Sequence, residues 1–156
     1  MNSTALTYAI KTYQELSRDE LYAVLQLRAE VFVVEQDCVY QDVDGKDDKA
    51  LHVLGYKENR LVAYTRIFPP GAYFEDASIG RVIVREEERK HKYGYELMQV
   101  SNAAVIERFQ VSKIKISAQV YLKKFYNNLG YTEIGEGYLE DGIPHIGMIF
   151  TQKESK

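Results

Sequence analysis

Apolar and polar positions repeat with two different periods along the chain, and each change of period marks a predicted element. Residues 6–10 alternate apolar side chains with polar or small ones, which is typical of a β-strand. Ser17 and Glu20 have the spacing of a capping box, and the apolar positions after them follow a helical period. This first helix is predicted to break, or to give way to a second short helix, at the β-branched run 31–34.

The later segments predict a sheet built mainly from hairpins. Residues 50–57 and 61–68 have the composition of two strands joined by a short turn, and Pro69 stops the second strand. The remaining predicted elements are strands at 81–84, 113–118, 131–138 and 146–152, a helix that ends near Phe109, and a short helix at 122–129. The order β-α-β-β-β-α-β-α-β-β predicts one α/β (α+β layered) domain over residues 1–156. Its central sheet is expected to be mixed, mostly antiparallel and flanked by helices.

One strand-to-helix connection has the features of an anion-binding site. A short β-branched strand at 81–84 is followed by the basic turn 85–92 and by Gly94. The helix after the turn has a buried face at i, i+4, i+7 and i+8, formed by Leu97, Ser101, Ala104 and Val105. The free N–H groups of its first turn and the positive end of its dipole both point towards the connection. This pattern favours the binding of a phosphate group there.

Composition narrows the classes of function. A net charge of −3 leaves no excess of cations to neutralise phosphates, which argues against non-specific nucleic-acid binding. The single cysteine, Cys38, excludes an internal disulfide and a zinc site built from several cysteines. No apolar run is long enough to span a bilayer, and residues 1–8 lack the basic and apolar regions of a signal peptide. We therefore expect a cytoplasmic protein that binds neither a membrane nor nucleic acid, and the sequence is compatible with a monomer or an oligomer.

The acidic connection 35–49 resembles a calcium loop only in its content of aspartate. If Asp42 were the first position of an EF-hand loop, the sixth would be Asp47 instead of glycine and the twelfth would be Val53 instead of glutamate. The sequence therefore predicts a solvated loop here and no metal site.

Three sets of motifs follow one another in an order known from a large family. Residues 89–94, R-K-H-K-Y-G, are similar to the coenzyme-binding motif [QR]-x-x-G-x-[GA], with Lys92 in place of its first glycine. Residues 125–131, F-Y-N-N-L-G-Y, are similar to F-Y-x-x-x-G-[FY]. The segments at 27–36, 52–54, 117–119 and 140–145 are similar to the ElaA-like branch. Together they cover nearly the whole chain, which resembles the GNAT superfamily of acetyl-CoA-dependent N-acetyltransferases.

The resemblance implies a function and a set of coenzyme contacts. It implies transfer of an acetyl group from acetyl-CoA to a primary amine of a small molecule or peptide, by direct attack on the thioester and without a metal. Backbone groups of Val82, Ile83 and Val84 are implied to hold the pantetheine arm and the thioester oxygen. The implied pyrophosphate-binding residues are Arg89, Lys90, His91, Lys92, Tyr93 and Gly94. The side chain of Lys92 either points outward or adds positive charge to the phosphates.

The sequence offers one candidate for the general acid of such a reaction and several for its general base. Tyr126 matches the second motif and is the implied general acid for the leaving thiolate, as well as a coenzyme contact; its alternative role is aromatic packing. The base candidates are Glu35, His52, Glu75 and His145. His145 follows a proline in a predicted loop, whereas His52 lies in a predicted strand and can equally be a structural histidine.

The acceptor amine is not specified by these motifs. The acidic residues at 35–48, with Glu140 and Asp141, attract a cationic amine if they face the cleft. Two other functions are consistent with the sequence. One is a noncatalytic acyl-CoA-binding sensor on the same fold, and the other is a protein-interaction domain whose basic turn meets an acidic partner.

Overall fold

The computed structural model describes residues 5–153, which form a seven-stranded sheet in the order β1-β2-β3-β4-β5-β7-β6. Neighbouring strands are antiparallel except for β4 and β5, which are parallel. The strands are β1 (Thr7–Thr12), β2 (Leu51–Lys57), β3 (Arg60–Phe68), β4 (Ala77–Val84), β5 (Lys113–Gln119), β6 (Thr132–Glu140) and β7 (Ile143–Thr151). The predicted fold class and order of elements are confirmed. Residues 1–4, which begin the segment assessed for a signal peptide, and 154–156 lie outside the described residues.

The α-helices are α1 (Arg18–Arg28), α2 (Tyr93–Phe109) and α3 (Lys123–Asn128). The capping box predicted for α1 is present, since the Glu20 N–H donates to Ser17 Oγ at 3.0 Å and the Ser17 N–H donates to Glu20 Oε1 at 2.8 Å. The α geometry ends at Arg28, close to the predicted break, and a π-helical segment, Ala29–Glu35, continues from it. Within residues 5–153, no helix is long and apolar enough to cross a membrane.

Two hydrophobic clusters hold the helices against the sheet. On β4, Ile83 packs into the cluster under α1, whereas Val82 and Val84 pack against the cluster under α2. Because neighbouring side chains of a strand point to opposite faces, α1 and α2 cover opposite faces of the sheet. The predicted inward face of α2 is confirmed, with Leu97, Ser101, Ala104 and Val105 all buried.

β4 and β5 pair over only a short distance. Ala77 pairs with Ile114 and Ser78 with Lys115, after which the two strands separate. β4 is also longer than the predicted strand 81–84, and it bulges where the φ of Arg81 is +49° and the register with β3 shifts. From Ile79 onward, one edge of β4 therefore has no neighbouring strand.

The acidic connection between α1 and β2 is only in part the solvated loop that the sequence predicted. Most of it is exposed, but Asp42 and Asp47 are buried, with only 7% and 8% of their surface exposed. For these two residues the prediction was wrong because it considered the aspartates alone, and their partners come from distant parts of the chain.

Three arginines neutralise these carboxylates. The ion pairs are Arg28 with Asp42 (2.8 Å) and Asp47 (2.7 Å), Arg66 with Asp44 (2.8 Å) and Asp47 (2.9 Å), and Arg81 with Asp42 (2.7 Å). We call these six residues the Arg–Asp cluster. Burial alone would raise the pKa of Asp47, but its hydrogen bonds to Arg28 and Arg66 outweigh burial and hold that pKa below its usual range. The cluster ties the loop to α1, β3 and the bulge of β4.

The β6–β7 hairpin is tighter than predicted. Asp141 and Gly142 alone connect the strands, and both have positive φ, +51° and +78°, as in a two-residue type I′ turn. His145 was predicted to lie in a loop, but it lies in β7, where it pairs with Gln119 of β5 and Tyr138 of β6. The prediction was wrong because the Asp-Gly turn lets both strands continue almost to the tip.

Candidate functional site

The separation of β4 and β5 opens a cleft of about 780 Å³. Side chains from both strands line it, together with residues from the N-terminus of α2, from α3, from the π-helical segment and from the β6–β7 hairpin. The sequence-predicted residues that line it are Glu35, Val82, Ile83, Val84, Arg89, Lys92, Gly94, Tyr126 and His145. The fold therefore brings most of the predicted coenzyme and catalytic residues into one cavity.

The N-terminus of α2 gives the cleft a positively polarised end. Lys92 is the N-cap residue and its side chain makes no capping hydrogen bond, and Gly94 in the first turn lines the cleft. A Cβ atom added at Gly94 would lie 3.5 Å from Phe125 Cζ and 3.8 Å from Val84 Cγ2, which are ordinary contact distances. Such a helix end, with Lys92 beside it, is suited to bind an anion.

Arg89 lies beside this helix end but is already paired. Its guanidinium contacts Glu35 through two hydrogen bonds of 2.5 Å and 2.9 Å, and its Nε donates to the carbonyl oxygen of Val84 at 2.9 Å. Both oxygens of the Glu35 carboxylate are consequently occupied by the guanidinium of Arg89. A phosphate that binds Arg89 competes with Glu35 for the same guanidinium.

Lys92, at the position of the motif's first glycine, has a backbone conformation that favours glycine. Its φ and ψ are 63° and 25°, in the left-handed region, and it joins the 3₁₀ turn Glu86–His91 to α2. A residue with a Cβ atom is strained there by roughly 1–2 kcal/mol. The chain therefore keeps the sharp turn and gains a positive charge that lines the cleft.

Replacing Lys92 with glycine is expected to give a more stable protein than replacing it with alanine, by about 1 kcal/mol. Both variants lose the same charge, but only glycine removes the Cβ atom from the left-handed conformation. Urea unfolding of the two variants measures the difference. Equal stabilities would show that the conformation at this position is not strained.

The rest of the predicted pyrophosphate turn lies outside the cleft lining. Lys90 and His91 are exposed, and His91 Nε2 lies 3.7 Å from Glu88 Oε1. Tyr93 is buried in the core beneath α2, with the ammonium group of Lys57 5.8 Å from its ring centroid. The turn was predicted to bind the pyrophosphate mainly through backbone N–H groups, so the positions of these three side chains leave that prediction untested.

Tyr126 reaches the cleft from α3. Only 6% of its surface is exposed, and its ring contacts Phe125 and Tyr131 edge-on, with centroid distances of 5.0 Å and 6.0 Å. Burial, and secondarily the nearby Tyr121, raise its pKa above the ordinary value for tyrosine. The phenol is thus held in one orientation and stays protonated at neutral pH.

The histidines occupy very different places. His52 is fully buried and does not line the cleft; its Nδ1 lies 2.5 Å from Tyr64 Oη and its Nε2 lies 2.9 Å from the carbonyl oxygen of Asp47. Burial lowers the pKa of His52, as expected for a satisfied core histidine. The structure therefore gives His52 no access to a substrate in the cleft. Glu75 is exposed and also lies outside the cleft lining, whereas His145 lines it.

Comparisons with known proteins agree with this geometry. A family model described as "Acetyltransferase (GNAT) domain" matches residues 12–152. The chain belongs to the GNAT acetyltransferase family. It is 46% identical to Protein ElaA of Escherichia coli (strain K12) over 138 residues, which cover 87% of this chain and 90% of that protein. Within residues 5–153, no group of three or more acidic, histidine or cysteine side chains is arranged to hold a metal.

Solved GNAT structures superpose closely on this one. The crystal structure of Escherichia coli ElaA matches with a TM-score of 0.87 at 42% identity, covering 93% of this chain and 99% of that one. The crystal structure of an acyl-CoA N-acyltransferase from Pseudomonas aeruginosa matches with a TM-score of 0.87 at 38% identity, covering 94% and 100%. The protein therefore has the GNAT fold of acyl-CoA-dependent acyltransferases over almost its whole length.

Sequence reasoning missed several residues of the GNAT cleft. Arg81 was assigned only to a strand, because a bulge has no clear signature in a single sequence. Ser117 lay in a segment similar to the ElaA-like branch but was given no role. Cys38 and Tyr40 reach the cleft only because the Arg–Asp cluster directs the acidic connection there, and no local pattern marks that path.

Proposed function

We propose that this protein is an N-acetyltransferase that transfers the acetyl group of acetyl-CoA to a primary amine of a small molecule or peptide by direct attack. The observation that supports it most is the continuity of the cleft. One cavity joins the uncapped N-terminus of α2, the unpaired edge of β4 and the phenol of Tyr126. These supply an anion site, hydrogen-bonding groups for an extended amide chain, and a proton donor. As the composition predicts, the cytoplasm is the proposed location.

The proposed coenzyme position follows from these three features. The diphosphate lies at the N-terminus of α2, near Lys92 and the guanidinium of Arg89. The pantetheine arm carries two amides and extends along β4, where backbone groups of residues 82–84 hydrogen-bond to it as a neighbouring strand would. The thioester then lies towards Tyr126, on the side of residues 82–84 that is nearer to the paired residues Ala77 and Ser78.

The proposed reaction needs few protein groups. The neutral amine attacks the thioester carbonyl carbon, the C–N bond forms, and the C–S bond breaks as the intermediate collapses. Tyr126 donates its proton to the leaving sulfur and regains one from the nitrogen as the amide forms, so it ends the cycle neutral. Its raised pKa keeps that proton in place until a basic thiolate develops beside it.

Two measurements test the proposal together. Calorimetric titration with acetyl-CoA measures binding, and release of free thiol in the presence of a panel of amines measures transfer. Failure to bind the coenzyme would favour a protein-interaction domain. Binding without thiol release from any amine would favour an acyl-CoA sensor. Since Cys38 contributes one thiol per chain, its background is subtracted with coenzyme-free protein.

Replacing Gly94 with glutamate is expected to weaken acetyl-CoA binding by about 10- to 100-fold, because the new carboxylate repels the diphosphate at close range. An acidic residue in the first turn of a helix favours the helix, so loss of binding through unfolding is not expected. Gly94→Gln is the matched control, since it adds the same bulk without charge. Affinity for acetyl-CoA, measured by calorimetry, that is equal in the glutamate and glutamine variants would contradict the assignment of the phosphates to this helix end.

A further inference from the structure

His145 presents one unused nitrogen at the end of the cleft formed by the β6–β7 hairpin. The residue is 6% exposed and lines the cleft. Its Nδ1 lies 2.7 Å from the carbonyl oxygen of Ile143, and since a carbonyl only accepts, Nδ1 carries the proton. The lone pair of the neutral ring is therefore on Nε2. Nε2 lies 3.7 Å from Glu140 Oε2, beyond hydrogen-bond distance, so it is free to accept a proton.

Glu140 is held in place beside this nitrogen. Ser117 Oγ donates to Glu140 Oε1 at 3.1 Å and lies 2.5 Å from Tyr138 Oη. Because the serine proton goes to the carboxylate, Tyr138 must be the donor to Ser117. The ring of Tyr138 also stacks on His145 at a centroid distance of 6.2 Å. These contacts leave Glu140 Oε2 as the carboxylate oxygen that faces His145.

The charge at this end of the cleft is negative. Glu140 and Asp141 line it, and among residues 5–153 neither forms an ion pair with a lysine or arginine. The two cleft arginines, Arg81 and Arg89, are already paired with carboxylates. Lys92 lies at the N-terminus of α2, where the diphosphate is proposed to bind. A cation is therefore attracted to the hairpin end of the cleft, and an anion is repelled.

We infer that the acceptor is a protonated primary alkylamine without a carboxylate, that Glu140 binds its ammonium, and that His145 Nε2 removes a proton from it. This inference rests on the proposed acetyl transfer. The ammonium gives one proton to His145, and the free amine attacks the thioester. The imidazolium then releases that proton to solvent, which balances the overall release of one proton per acetyl group transferred.

The pH dependence of a glutamine variant tests the role of His145. In the parent protein, kcat/KM is expected to level off well below the pKa of the free amine, because His145 takes the proton from the bound ammonium. His145→Gln is expected to lower kcat/KM by about 10²- to 10³-fold near neutral pH. Its kcat/KM should go on rising with pH towards the pKa of the free amine, about 10.4, because only amine that is already neutral can react. Acetyl-CoA affinity should be unchanged.

Matched acceptors test the role of Glu140. Nα-acetyl-lysine amide and Nα-acetyl-lysine present the same side-chain amine and differ in one carboxylate, and 1,5-diaminopentane adds a second cation instead. The parent is expected to prefer the amide and the diamine over the acid by about 10-fold or more in kcat/KM. Glu140→Gln should reduce that preference to within about 3-fold. Glu136→Gln, which changes an exposed residue of the same strand outside the cleft lining, should keep it.

The outcomes separate this inference from the proposed function. If the parent transfers acetyl groups but prefers the carboxylate-bearing acceptor, the inference about the acceptor is wrong and the acetyltransferase activity stands. If kcat/KM of His145→Gln depends on pH as it does in the parent, the assignment of His145 as the base is wrong and the acetyltransferase activity again stands. If the parent binds acetyl-CoA and releases thiol with none of these amines, both the transfer reaction and the inference that rests on it fail.

Discussion

Replacement of Tyr126 with phenylalanine is expected to lower turnover by about 10²- to 10⁴-fold while leaving the affinity for acetyl-CoA nearly unchanged. The substitution removes one oxygen atom and keeps the ring, so the edge-on contacts with Phe125 and Tyr131 are retained. Without the phenol, the sulfur must leave as an unprotonated thiolate in a largely buried site, where a charge is poorly solvated. The loss therefore falls on the chemical step.

Burial of Tyr126 determines which groups its phenol can protonate. It raises the pKa of the phenol, so the side chain is a poor acid towards water and does not lose its proton in the free protein. A thiolate that develops in the same desolvated region has its own basicity raised by burial in the same direction. Burial therefore does not by itself prevent proton transfer from the phenol to the proposed leaving group.

Tyr131→Phe is the control for this experiment. It makes the same change at a neighbouring buried tyrosine, whose hydroxyl donates to Asn102 Oδ1 at 2.7 Å and lies outside the cleft lining. This variant is expected to lose some stability and to keep its turnover. Turnover and coenzyme affinity are measured separately, by thiol release at saturating amine and by calorimetry. Unchanged turnover in Tyr126→Phe would assign the residue to packing.

Replacement of Arg28 with methionine is expected to lower the free energy of unfolding by about 3–5 kcal/mol. Arg28 is fully buried and contacts both Asp42 and Asp47 in the Arg–Asp cluster. The cluster balances three arginines against three aspartates, so removing one arginine leaves one buried negative charge without compensation. Methionine fills most of the space of the arginine stem. The lost charge, and not a cavity, is therefore the main cause of the lower free energy of unfolding.

Urea unfolding at neutral pH measures the effect, with Lys11→Met as the control. Lys11 contacts Glu20 at 2.6 Å near the surface, where a solvent-exposed ion pair contributes little to stability. The pKa of Asp47 in the folded protein is depressed, so its stabilising contribution is complete above about pH 4 and is lost as the pH falls further. The difference between parent and Arg28→Met should narrow over that acidic range. A difference that is small at neutral pH would contradict a structural role of the cluster.

Local patterns predicted those parts of the fold that local interactions form. The capping box needs only Ser17 and Glu20, and the buried face of α2 needs only the residues on one helix, so the sequence marks both. Gly130 follows the short helix with a positive φ of +100°, a backbone conformation in which glycine is favoured. Hydrophobic periodicity then placed the strands in order, and the motifs included many of the residues that line the cleft.

The missed features depend on residues that are far apart in the sequence. The Arg–Asp cluster unites Arg28, Arg66 and Arg81, and no spacing rule connects them to a loop of aspartates. The path of that loop brings Cys38 and Tyr40 to the cleft, so they could not be assigned earlier. His145 was placed in a loop because proline and glycine nearby suggested one, whereas the two-residue turn extends both strands past it.

The short contact between β4 and β5 has a mechanical consequence. Within residues 5–153, the two halves of the sheet pair only at Ala77 with Ile114 and at Ser78 with Lys115. Bending at these two rungs changes the distance between the halves without breaking any ladder hydrogen bond inside either half. Strand pairing therefore fixes the width of the cleft only at its closed end. Beyond it, the two halves are held at their spacing by the core that α2 shares with β4 and β5.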